Sequence, residues 1–133
     1  MNTKVNIMQS NTYIDYDSET QIIQSRSFRE LDVWISHVKY ITDECDKLAK
    51  IASNLIRNRN LRDELLVMIT KNQDVLNQLY SARNETEKLN ECDDVACDLY
   101  YLNEHEVTRS LYLEHVKSYR KLKEEVLLNL LTK

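Results

Sequence analysis

The chain of 133 residues contains neither glycine nor proline, where average usage of roughly 7% and 5% would supply about nine and about seven. Glycine gives turns their positive φ and proline punctuates loops, so a chain without either must have few turns and long unbroken elements. Long helices meet that condition. At this length there is material for one domain with a moderate core, and too little for two of ordinary size.

The apolar pattern supplies the helices. From Ser27 to Arg57, Leu31, Trp34, Val38, Ile41, Cys45, Leu48, Ala52 and Leu55 recur at alternating steps of three and four, the seam of a helix packed lengthwise on others. Ser27 and Glu30 have capping-box spacing and open the helix. The seam breaks between Leu55 and Leu61, and the run Arg57, Asn58, Arg59, Asn60 predicts a tight reversal there. Asn58 is expected to take the left-handed C-cap position and Asn60 to cap the next helix. A second seam follows Leu61, Leu65, Met68, Asn72, Val75, Leu79, Ala82, Thr86 and Leu89. After a polar stretch at Asn90 to Asp93, a third helix is expected from Asp94 to Leu131, with Val95, Leu99, Leu102, Leu113, Val116, Tyr119, Leu122, Val126, Leu127 and Leu130 inward.

Three helices over 27–57, 61–89 and 94–131, joined by short reversals, make an all-α, antiparallel up-down-up three-helix bundle with coiled-coil-like helices. Residues 1–26 are rich in Asn, Ser, Thr and Gln without a sustained period. They read as an N-terminal arm, partly disordered or holding one short helix from Ser18. The phrase FRELDVWIS, with Trp34 on the seam, resembles the first helix of a spectrin repeat, also a three-helix bundle with long heptads. The resemblance covers one helix and implies architecture alone.

Two expectations follow from length. Helices of about thirty residues span roughly 45 Å and the third nearer 57 Å. Aligning the first and third at Ser27 and Asp94 sets Leu55 level with Leu122 and leaves Val126, Leu127, Leu128, Leu130 and Leu131 projecting uncovered. An apolar overhang of that kind marks a contact surface, here the interface of a homodimer, with the N-terminal arm folded back over it as the alternative. Asn72, a polar residue inside a seam, is expected to set register or oligomeric state.

Chemistry is sparse. No Gly-rich phosphate loop or nucleophile motif occurs, and no Glu-x-x-His pair of the kind that holds two metal ions in bundles. Glu106 and Arg109 read as an internal ion pair. The same alignment sets His37 level with His105, so a single divalent metal ion on His37, His105 and Glu106 is the one constellation with ligand character. Cys92 and Cys97 stand five apart, with thiols about 140° apart if both were helical, and make a poor metal pair. An odd count of three cysteines without an export signal argues for reduced thiols and a cytoplasmic location. The net charge of −4 offers nucleic acid no general attraction. Lys117, Arg120, Lys121 and Lys123 are followed at once by Glu124 and Glu125. No apolar run is long enough to span a membrane.

The expected protein is therefore a non-enzymatic, cofactor-free bundle that self-associates and offers helical surfaces to a protein partner. The alternative is a small metal- or ligand-binding bundle using His37, Tyr40, His105 and Glu106.

Overall fold

The computed structural model describes residues 16–133. Helix α1 runs Tyr16–Ile51 and continues through one π turn, Ala52–Ile56. Helix α2 is Arg59–Thr86, tightening into a 3₁₀ turn at Glu87–Glu91, and α3 is Val95–Leu131. These pack as an antiparallel three-helix bundle.

The seams of α1 and α2 lie where their periodicity puts them. Leu31, Trp34, Val38, Ile41, Cys45, Leu48 and Ala52 are buried, as are Leu61, Leu65, Met68, Asn72, Val75 and Leu79. The exception is Leu55, 56% exposed beside a buried Ile56. The π turn accounts for it, because one extra residue per turn shifts the phase of the helix and rotates Leu55 out and Ile56 in. The reversal is also displaced from expectation, by one residue at its left-handed position and by two at the cap. Arg57, at φ 60°, takes the left-handed position, and Asn58 becomes the N-cap of α2, its side chain accepting from the Leu61 N–H at 3.0 Å. The chain turns without glycine because a single residue at positive φ suffices.

Three pairs fix how α1 and α3 lie: Glu30 with His105, His37 with Tyr112, and Glu44 with Tyr119, each 75 residues apart. The pairs recur every seven residues, the signature of parallel helices in heptad register. This corrects the expected alignment, which set the two helices 67 residues apart. It also corrects the arm. Residues 16–26 are the first turns of α1 and run beside the start of α3, with Thr20 and Ser27 buried and Gln24 Nε2 donating to the Thr86 carbonyl at 3.2 Å. Residues 1–15 of that arm lie outside the described residues.

The C-terminal overhang is corrected with it. α3 ends level with the end of α1, where Lys133 Nζ reaches the Ile56 carbonyl. Val126 is fully buried and Leu130 packs on the core, while Leu127, Leu128 and Leu131 stay exposed. What those three offer is one edge of a helix, not an uncovered end.

The core falls into two clusters. One joins Ile41, Cys45, Leu48, Ala52, Ile56, Leu61, Leu65 and Met68 to Val116, Tyr119, Leu122 and Val126 of α3. The other holds Leu31, Trp34, Ile35, Val38, Val75, Leu76 and Leu79, with no fully buried residue from α3.

Candidate functional site

Between the clusters lies a polar layer centred on Asn72, which is fully buried. Its Nδ2 donates to the Val38 carbonyl and to Thr42 Oγ1, both at 2.7 Å, and its Oδ1 lies 2.6 Å from His115 Nε2. A carbonyl can only accept, so the amide nitrogen must face Val38 and the amide oxygen His115. Nε2 of His115 therefore carries the proton. One side chain of α2 thus bonds α1 and α3 at the same level. His115 Nδ1 is left buried without a partner. Burial, with Lys71 and His37 nearby, holds the imidazole below the ordinary histidine value.

Along the α1–α3 contact the polar groups are paired in turn. Arg109 grips Glu30 with both terminal nitrogens, at 2.7 and 2.9 Å, and His105 Nε2 donates to the same carboxylate at 2.9 Å. The Arg109 bond holds the Glu30 carboxyl below its usual value against the opposing cost of burial, with the His105 bond assisting. Two turns of helix, about 10.5 Å, separate His105 from Tyr112, and the Trp34 ring stacks at 5.2 Å on each. The indole is the layer between them. Tyr112 Oη meets His37 Nδ1 at 2.6 Å. Lower down, burial raises the proton affinity of Glu44, but hydrogen bonds from Tyr119 and Lys123 outweigh it and leave the carboxyl below its ordinary value.

The expected metal set is not assembled. His37 pairs with Tyr112, His105 with Glu30 and Glu106 with Arg109 at 3.2 Å, and among the described residues no group of three His, Cys, Asp or Glu side chains is placed to hold a metal ion. The cause is the register: His37 sits one heptad below His105, so the two imidazoles occupy different layers. The Glu106–Arg109 pair is present at the surface rim, with Glu30 as the inner partner that its three-residue spacing could not reveal.

The cysteine expectation is also corrected. Cys92 and Cys97 form a disulfide, with Cα atoms 5.5 Å apart. The rotation that seemed to separate the thiols does not apply, because Cys92 is extended, at φ −70° and ψ 133°, and only Cys97 is helical. Asp94 caps the intervening turn by accepting from the Cys97 N–H at 2.8 Å. The bond withdraws the argument from free thiols to a reducing compartment. Cys45 is the free cysteine, buried and pushed up to about 11 by desolvation and by Asp46 and Glu44.

Two surfaces remain. Beside the disulfide, the start of α3 stands off from α1 and α2 around a cavity of about 270 Å³, lined by Ser27, Leu89, Tyr100, Tyr101, Glu104 and His105 among others. Along the outer edge of α3, Val95, Leu99, Leu113, Leu127 and Leu131 are exposed, the last at 83%. All five were expected inside or as overhang; the interior of the first half of α3 is taken instead by Tyr101, His105, Arg109 and Tyr112, polar or aromatic residues that an apolar count passes over. Among the described residues no helix is long and apolar enough to cross a membrane.

No protein-family model, curated protein or solved structure matches the chain.

Proposed function

We propose that the chain is a non-enzymatic helical module that works by self-association and by offering its helices to other proteins. The observation that carries this reading is the exposed apolar edge of α3, large aliphatic side chains recurring along one side of a helix whose opposite side is the core. A soluble surface has no use for such a row unless another helix covers it. The charged groups along α1 and α3 support the reading from the other direction, since Glu30, Glu44, Arg109 and Lys123 are each held by partners within the bundle rather than left for a substrate. A net charge of −4 favours protein over nucleic acid as the partner. Light scattering on the eluting protein at micromolar concentration tests the proposal: twice the 15.8 kDa chain mass supports it, and a monomer throughout overturns self-association.

The cavity of about 270 Å³ at the start of α3 favours a second reading, the binding of a small aromatic or cationic molecule between Tyr100, Tyr101 and Glu104. A nuclear magnetic resonance screen with small organic cations would move resonances of those three residues if it holds. Shifts spread over the surface, or none, would dispose of it.

A further inference from the structure

We propose that two copies of the chain pair antiparallel along their α3 helices, about a two-fold axis at Leu113. The inference rests on the self-association reading and adds the face, direction and register.

The outer edge of α3 begins at Val95 and ends at Leu131, thirty-six residues on, or about ten turns of a straight helix. The edge therefore returns to the same side and runs as a straight stripe about 54 Å long. Its positions are spaced symmetrically. From Leu113 outward in either direction the steps are four, three, four, three and four residues.

In an antiparallel helix pair, residues facing each other have numbers of constant sum. With Leu113 on the axis it faces Leu113 of the second copy, and the pairs outward match in character. Leu99 falls opposite Leu127, and Val95 opposite Leu131, all four exposed. Glu106, which also meets Arg109 of its own helix at 3.2 Å, falls opposite Arg120, both exposed, so each dimer gains that opposite-charge pair twice. The interface is apolar at its middle and its two ends, with charge pairs between that fix the direction.

Two positions on the stripe match less well, and the structure accounts for one. Arg109 falls opposite Lys117, but its guanidinium is turned inward to Glu30 and lies 5.3 Å over the Trp34 ring, so it is not presented to a second copy. Leu102, half-buried, falls opposite Glu124. A parallel pairing fares worse, because it sets Glu106 against Glu106 and Arg120 against Arg120. Antiparallel pairing is the arrangement that the stripe complements.

Charge exchange on the full chain tests the register. Glu106→Arg alone places Arg opposite Arg120 twice, Arg120→Glu alone places Glu opposite Glu106 twice, and the two together restore both pairs. Sedimentation equilibrium should show each single variant weakened at least tenfold in dimerisation and the double variant recovered. Leu113→Glu, which brings two carboxylates together on the axis, should be monomeric with unchanged helical circular dichroism. A wild-type monomer at all concentrations overturns self-association itself. A wild-type dimer indifferent to Leu113→Glu and Glu106→Arg overturns only this face. Equal weakening of the single and double charge variants overturns the antiparallel register, as does a complex with a different protein on this edge that leaves the chain monomeric.

Discussion

The two halves of α3 belong to the same helix and face the same neighbours, yet they are held by different means. From His115 to Val126 the helix contributes five buried residues, four of them in one cluster with α1 and α2. From Val95 to Glu114 no residue is buried, and the contacts are a carboxylate shared by Arg109 and His105, the Trp34 stack, Tyr112 half-buried against the clusters and bonded to His37, and the disulfide that ties Cys97 to Cys92. Aliphatic side chains interdigitate at high density and exclude water, whereas paired polar groups keep elements in place while leaving space beside them. The cavity lies on the second side of that divide. Helix α3 is packed along its second half and propped along its first, where the buried cluster is built by α1 and α2.

This contrast is open to breaking at graded cost. The largest effect is expected from Leu65→Ala in the packed end, where a fully buried side chain is lost and about 2–5 kcal/mol of unfolding free energy with it. Val107→Ala in the first half of α3 should cost under about 0.5 kcal/mol, because that side chain is exposed and lies off the α3 stripe. Urea unfolding of the two variants measures the difference, and similar costs would erase the distinction.

Asn72→Ala comes next. It leaves His115 Nε2 buried without a partner and takes from the Val38 carbonyl the bond it accepts beyond its helical one, at about 1–3 kcal/mol. Since that amide also bonds α1 and α3 at one level, loss of a single well-dispersed set of resonances should accompany the lower midpoint. Asn72→Ala unfolding like the native chain would remove it as the joint between the two ends.

Cys97→Ser should cost about 2 kcal/mol at most, the chain-entropy value for a loop of this size, and its effect should stay local. Exchange should quicken between Glu87 and His105 and remain unchanged beyond His115. Faster exchange in the packed end would mean that the two halves open together.

Acid is the mildest probe. Burial holds His37 and His115 below the ordinary histidine value of 6.5. Just below pH 6.5 the unfolded chain therefore binds more protons than the folded one, so stability is whole above pH 6.5 and declines as the pH falls through the window beneath it. Glu30 and Glu44, held below 4.5, add a further loss under that pH. Thermal midpoints across this range should decline in two stages, and His115→Gln should flatten the upper one. A midpoint independent of pH between 7 and 5 would contradict the assignment of buried neutral imidazoles.

The contrast also explains what the sequence disclosed. α1 and α2 were legible because their seams are aliphatic and unbroken, and Asn72 stood out because it was the polar residue within one. The first half of α3 was not legible, since its inward positions are Tyr101, His105, Arg109 and Tyr112 while Val95, Leu99 and Leu113 face outward. Periodicity read from apolar residues alone then selects the wrong edge. Leu55 failed for a different reason, a π turn that apolar spacing does not announce. The disulfide is missed when a helical rotation is applied between Cys92 and Cys97, although Cys92 falls in the Asn90–Asp93 stretch between helices.

Hydrogen exchange along α3, followed amide by amide, tests the two-ended bundle most directly. Antiparallel pairing of copies about Leu113 would cover both halves alike, so it does not create a gradient. Amides from His115 to Val126 should exchange only through global unfolding, and those from Tyr101 to Thr108 through smaller openings at least tenfold more frequent. Uniform protection along the helix, or slower exchange in its first half, would contradict the account.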